Sequence, residues 1–112
     1  MTATGWVVRG EEVLATAEIA QTRQQRRRGL IGQDCIDGAF VLSRCRSVHT
    51  FGMRVPIDII VIDREGMVLC TASLRPRRVA PYVRRAHTII EVSAGCVDRW
   101  NVRRGDCLEI RT

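Results

Sequence analysis

Short apolar segments separated by turn residues dominate the pattern of this chain. β-branched and apolar runs of strand length predict strands over residues 6–8, 13–19, 39–42, 57–62, 67–74, 88–92 and 108–110. Residues 57–62 are apolar at nearly every position, so we expect this strand to be covered on both faces. Gly10-Glu11 suits a two-residue hairpin and Gly66 suits a turn, because glycine adopts positive φ without strain.

Signals for helices are fewer. Thr22 followed by Gln25 resembles a capping box and predicts a helix over about residues 23–31, ending near Gly32. Residues 94–100 allow one or two further helical turns. Strands outnumber helices and do not alternate with them, which argues against βαβ winding. We therefore expect an α+β, mostly β fold: a bent, mostly antiparallel sheet or partly closed β-barrel with one or two short helices.

Length and composition indicate one domain over residues 1–112, large enough to form a core without metal or disulfide bonds. No apolar run approaches the roughly 20 residues of a membrane span, and the first residues lack a secretory pattern. The five cysteines are odd in number and contain no C-x-x-C pair. We therefore expect reduced thiols, no membrane association and a cytoplasmic location.

The segment before the strand at residues 57–62 is the best candidate for a site, since loop side chains mounted on a rigid strand are typical of binding sites. Gly52 permits a bend that would bring His49, Arg54 and Asp58 together. With Thr50 they form the predicted ligand-binding set, in which Arg54 holds an anion and His49 exchanges a proton. In the structural alternative, Arg54 pairs with Asp58 and His49 bonds to the backbone.

Other chemical patterns are less specific. The spacing of Cys45 and His49 would allow Cys45 to act as a nucleophile with His49 as its base, but a buried, unreactive Cys45 is the favoured interpretation. The two histidines and the scattered cysteines lack the paired spacing of a zinc site. We expect no metal and no cofactor, and we assign no catalytic residue.

Arginine supplies all of the positive charge of the chain. The net charge is +6, and the 18 basic residues include no lysine. Arginines cluster at residues 23–28 and 75–85, where they could follow the phosphates of a nucleic acid. Only Tyr82 lies among them as a stacking platform, so a solvated basic face is the favoured interpretation and nucleic acid an alternative.

Several blocks of the sequence together resemble one family. They comprise Thr22, Arg26, Arg28, Gly29, Leu30 and Ile31, then Phe51, Met53, Arg54, Pro56, Ile57, Asp58, Ile59, Asp63 and Gly66, and finally Ala94-Gly95 and Gly105-Asp106. This pattern is similar to DUF192, a prokaryotic domain of unknown function. Many relatives have Phe-Trp-Met-Lys-Asn-Thr where this chain has TFGMRV, so Gly52 replaces a tryptophan. The resemblance implies a small β-rich domain and supplies no agreed activity.

These observations predict a non-catalytic binding module for a small anionic ligand or a peptide carboxylate. One alternative is a basic module that binds protein or nucleic acid. The other is a hydrolase or transferase that uses His49 and Asp58 for proton transfer.

Overall fold

The computed structural model describes residues 3–22, 25 and 36–112. These residues contain seven strands and one short helix, in chain order β1 (Ala3–Arg9), β2 (Glu12–Ala20), β3 (Ala39–Ser43), β4 (Ile57–Ile62), β5 (Val68–Leu74), β6 (Thr88–Ser93), α1 (Cys96–Arg99) and β7 (Glu109–Arg111). The predicted mostly β fold class is confirmed, and each predicted strand lies where its apolar segment indicated.

In the described part of the chain the seven strands form one curled sheet, in the order β5-β4-β6-β3-β2-β1-β7. Neighbouring strands are antiparallel except for β2 and β3, which are parallel. The two ends of the sheet meet at Gly66, whose carbonyl accepts a 2.8 Å hydrogen bond from the Leu108 N–H. The Val68 N–H likewise donates to the Asp106 carbonyl at 2.8 Å. These bonds close the sheet into a partial barrel.

The middle strands are apolar on both faces. Side chains alternate along a strand, so Ile57 and Ile59 lie on one face of β4 and Ile60 and Ile62 on the other. The first face packs under residues 45–53 and 74–86, and the second packs against α1 and residues 102–108. This double cover accounts for the apolar residues at every position of β4 except Asp58.

The predicted turns are confirmed by the backbone geometry. Arg9 pairs with Glu12 across the two-residue turn, and Gly10 takes a positive φ of 62°. Gly66 has a φ of 89°, and a Cβ at this position would collide with the Leu108 carbonyl oxygen. Glycine at residue 66 is therefore required both by the turn and by the closure of the barrel.

The predicted capping box is also present. The Thr22 hydroxyl accepts a hydrogen bond from the Gln25 N–H at 3.0 Å, and the Gln25 Oε1 accepts one from the Thr22 N–H at 3.2 Å. The rest of the helix predicted over residues 23–31 lies outside the described residues, as does Cys35. None of the helices in the described residues has the length and apolar character that a membrane crossing requires.

Candidate functional site

Residues 44–56 and 75–87 together form a surface feature that we call the basic ribbon. Their backbones run antiparallel: the Cys45 N–H donates to the His87 carbonyl at 3.0 Å, and the Thr50 N–H donates to the Arg78 carbonyl at 2.7 Å. Between these bonds, the Ala80 N–H donates to the Val48 carbonyl at 2.8 Å. These hydrogen bonds join the two irregular loops into one antiparallel pair.

The basic ribbon is amphipathic. Its small and apolar side chains pack onto the core face of β4 that carries Ile57 and Ile59; they include Val48, Met53, Ala80, Val83 and Ala86. The arginines between them point to solvent; they are Arg44, Arg46, Arg77, Arg78, Arg84 and Arg85. Burial of the apolar members therefore fixes the loops and presents a row of guanidinium groups.

Thr50 ties the two halves of the basic ribbon together. Its side chain is fully buried, and its Oγ1 donates to the Arg75 carbonyl at 2.6 Å while accepting from the Arg78 N–H at 2.7 Å. Its own carbonyl accepts from the Arg77 N–H at 3.1 Å. Thr50 was predicted to bind a ligand directly, and these contacts give it the role of positioning the Arg75–Arg78 turn.

His49 and Phe51 lie on the exposed side of the ribbon. Their ring centroids are 5.5 Å apart, and the His49 Nδ1 accepts a hydrogen bond from the Phe51 N–H at 3.2 Å. This bond leaves Nε2 to carry the proton of the neutral ring. Arg54, three residues further on, is also exposed. His49 and Arg54 are thus accessible to a ligand.

Asp58 is placed differently. It alternates with Ile60 and Ile62 and so lies on the opposite face of β4 from the residues beneath the basic ribbon. Its Oδ2 accepts hydrogen bonds from the N–H groups of Gly95 (3.0 Å) and Val97 (3.2 Å), at the start of α1. Its Oδ1 accepts one from the Ser73 hydroxyl at 2.7 Å. Asp58 therefore acts as a helix cap supplied by a distant strand.

The structure thus brings His49 and Thr50 together in one segment and places Asp58 on another face. Both oxygens of Asp58 are bound within its own face, and His49 bonds to the Phe51 N–H. His49 and Asp58, the pair named above for proton transfer, therefore bind different groups on different faces of the sheet.

A cleft of about 750 Å³ opens at the far end of β4, beside the basic ribbon. Five arginines and one histidine line it, together with one alanine and two acidic residues: Arg44, Arg46, Arg64, Arg84, Arg85, His87, Ala86, Asp63 and Glu65. The Asp63 Oδ1 already accepts hydrogen bonds from the Glu65 and Met67 N–H groups, both at 2.9 Å. The cleft is therefore electropositive.

The charge of the whole chain is segregated into the same region. The basic ribbon contains eight of the 18 arginines and both histidines, and it contains no acidic residue. The rest of the chain holds ten arginines against twelve acidic residues, a balance of −2. In the sequence, the feature that could have indicated the cleft is the absence of Asp and Glu from residues 44–56 and 75–87. This feature was not recognised from the sequence, because the two segments are far apart in the chain and only the fold pairs them.

Glu91 is the most perturbed acid in the described residues. On β6 it lies opposite Phe40 of β3 and Ile59 of β4, so its carboxyl group enters the apolar face beneath the basic ribbon. Its Oε1 is buried without a hydrogen-bond partner among the described residues. Desolvation raises the pKa of Glu91 to about 7.

No group of three or more His, Cys, Asp or Glu side chains in the described residues is arranged to hold a metal ion. No disulfide bond joins any two of the four cysteines in this part of the chain, which are Cys45, Cys70, Cys96 and Cys107. Burial raises the pKa of the Cys70 thiol, which disfavours the reactive thiolate.

Two solved structures share this architecture. One, from Sinorhizobium meliloti 1021, is described as a candidate transcription regulator; it is 22% identical, covers 97% of this chain and 95% of its own, and superposes with a TM-score of 0.82. The other is a protein of unknown function from Novosphingobium aromaticivorans DSM 12444, 17% identical over 96% of this chain and 84% of its own, with a TM-score of 0.77. At these identities the likeness shows the fold alone.

None of the curated protein sequences matches this chain. The model of the family DUF192, described as "Uncharacterized ACR", matches residues 6–110. Because this match spans nearly the whole chain and agrees with the β-rich fold, the protein belongs to the DUF192 family.

Proposed function

We propose that this protein is a non-catalytic binding module for anionic ligands and that the cleft beside the basic ribbon is its binding site. The observation that carries the proposal is the concentration of five arginines and His87 around one opening of about 750 Å³. Guanidinium groups bind phosphate and carboxylate through paired hydrogen bonds, which lysine cannot match.

The structure of the cleft supports this function in a second way. Its walls are held by backbone hydrogen bonds, from Cys45 to His87 on one side and from His87 to the Ile62 carbonyl (2.9 Å) on the other. A site whose walls are already ordered loses little conformational entropy when a ligand binds. The ligand classes that fit are those predicted from the sequence, a small anion or a peptide carboxylate.

Of the four residues predicted from the sequence, His49 and Arg54 remain proposed ligand contacts, as accessible members of the basic ribbon. Through the hydrogen bonds described above, Thr50 holds the basic ribbon together and Asp58 holds the start of α1 on the opposite face of β4. The proposed site is thus shifted from the entrance of β4 toward its far end.

Titration with phosphate and acetate, followed by NMR of backbone amides, tests this function. We expect shifts at residues 44–46 and 84–87, with affinity of roughly micromolar to millimolar, since a few charge-assisted hydrogen bonds supply the binding energy. Arg46→Lys keeps the charge but removes the planar fork, so it should weaken binding.

The matched control is Arg111→Gln, which changes an exposed arginine on β7 that pairs with Glu109 at 3.2 Å. This variant should bind phosphate as the wild type does. Shifts that spare residues 44–46 and 84–87, or equal losses in both variants, would contradict the assignment of the cleft.

A further inference from the structure

The basic ribbon extends well beyond the cleft. Cys45, which contacts His87, and Thr50, which contacts Arg78, lie five positions apart, a span of at most about 16 Å at the strand rise of roughly 3.3 Å per residue. Arg77 and Arg78 lie at the end remote from the cleft. A single small anion would occupy the cleft and leave these arginines unused, whereas a polyanion would engage the whole length.

Exposed aromatic rings lie along the same ribbon. Phe51 is 51% exposed and Tyr82 is 64% exposed, and His49 contacts the Phe51 ring. From the sequence, Tyr82 was the one stacking platform among the arginines. The fold adds His49 and Phe51, because His49 pairs with Val79 across the ribbon.

Arg46 connects the two features. Arg46 lines the cleft, and its Nη1 donates a hydrogen bond to the Tyr82 hydroxyl at 3.3 Å. The proposed anion site and the exposed ring of Tyr82 are therefore neighbours, with the Arg46 side chain between them. Alternating guanidinium groups and exposed rings are the combination that proteins use to bind unpaired nucleotides, since each base offers a π face to stack and each linkage a phosphate.

We propose that the basic ribbon binds single-stranded nucleic acid, with phosphates on its arginines and bases stacked on Phe51, His49 and Tyr82. This proposal rests on the proposed anion-binding function and names the class of its ligand. A duplex is a poorer fit, because its stacked bases hide the faces that these rings would contact. An anionic membrane surface is also a poorer fit, because the ribbon exposes one large aliphatic side chain, Val79.

Fluorescence anisotropy with labelled oligonucleotides of about 10 nucleotides tests the proposal, a length within the site size of small single-strand-binding domains. Single-stranded RNA, single-stranded DNA and a duplex of the same sequence would be compared over a range of salt concentrations. We expect both single strands to bind more tightly than the duplex, and binding to weaken as salt rises. A preference between the two single strands would identify which one is recognised through the 2′-hydroxyl.

Two variants separate stacking from charge. Phe51→Leu and Tyr82→Leu keep the apolar bulk and remove the ring, and each should weaken binding of the single strand by roughly 5- to 160-fold, the equivalent of losing one stacked base. Phe51→Leu should leave the phosphate titration unchanged, because Phe51 does not line the cleft. Tyr82→Leu also removes the hydroxyl that accepts a hydrogen bond from Arg46, so the phosphate titration is the check for Phe51→Leu alone. Trp6→Leu is the matched control, since Trp6 is 48% exposed but lies on β1, away from the ribbon; it should bind as the wild type does.

The outcomes separate the two proposals. Phosphate shifts at the cleft without oligonucleotide binding would overturn the nucleic-acid proposal and leave the anion-binding function standing. Absence of both would overturn both. Equal affinity for duplex and single strand, or binding that is retained when both rings are replaced, would overturn the proposal and show that the ribbon is a non-specific basic surface. Ring-dependent binding to vesicles of anionic lipid, with no binding to oligonucleotides, would also overturn the proposal.

Discussion

Replacing Glu91 by glutamine should change how the stability of this protein depends on pH. The Glu91 side chain is 4% exposed, and burial raises its pKa from the ordinary 4.5 to about 7. Each unit of pKa difference between the folded and unfolded states corresponds to about 1.4 kcal/mol. The difference of about 2.5 units therefore amounts to about 3 kcal/mol of stability that depends on pH.

The sign follows from proton binding. Below pH 4.5 Glu91 is protonated in both states, and its contribution to the free energy of unfolding is at its maximum. Between pH 4.5 and 7 the unfolded chain releases this proton first, so the folded state binds more protons and its stability falls as pH rises. Above pH 7 the carboxylate is ionised in both states and the loss is complete. Glutamine cannot ionise, so the variant lacks this loss.

Urea unfolding at a series of pH values, followed by tryptophan fluorescence, measures the effect. The free energy of unfolding of the wild type minus that of Glu91→Gln should fall by about 3 kcal/mol from pH 4.5 to about pH 8. Glu11→Gln changes an exposed carboxylate in the turn between β1 and β2 and should leave the profile unaltered. If the difference in free energy of unfolding between wild type and Glu91→Gln does not change with pH, the reasoning is refuted, since Glu91 would then have the same pKa in the folded and unfolded states.

Three further predictions concern stability and redox state. Asp58→Ala should lower the free energy of unfolding by about 1–3 kcal/mol, because it strips the Gly95 and Val97 N–H groups of their acceptor; an unchanged urea midpoint would exclude this role. Gly66→Ala should lower the free energy of unfolding by roughly 2–4 kcal/mol, and Gly105→Ala by roughly 1–2 kcal/mol. Both glycines have positive φ, but only a Cβ at residue 66 would collide with a backbone oxygen, so equal losses of stability in thermal unfolding would contradict this collision. Alkylation under non-reducing, denaturing conditions followed by mass spectrometry should modify the thiols of Cys70, Cys96 and Cys107. A disulfide at any of these three residues would contradict the expectation of reduced cysteines.

The strands were predictable because their signals are local. The five apolar residues of β4 must be buried on both faces, whatever their partners, since alternating side chains of a strand point to opposite sides. The turns at Gly10 and Gly66 and the capping box of Thr22 and Gln25 are likewise specified within two to four residues. These features follow from the geometry of short peptides and need no tertiary information.

The order of the strands was not predictable in this way. Local patterning does not distinguish which apolar edges meet, and the parallel contact of β2 with β3 joins segments separated by residues 21–38. Asp58 shows the same limit: its carboxylate looked like a site residue beside Arg54, and only the fold shows that it caps a helix 37 residues further along the chain.

The candidate site depends most on tertiary structure. The sequence by itself determined that the protein is rich in arginine, that its polar loops flank a buried strand, and that its cysteines lack the paired spacing of a metal site. Only the fold decided that two separate loops pair, so that Phe51 and Tyr82 share a surface with the arginines of both. The physical reason is that these loops are held by backbone hydrogen bonds and by small apolar contacts with the core. Such interactions are available to many sequences, and the packing of the whole chain selects their partners.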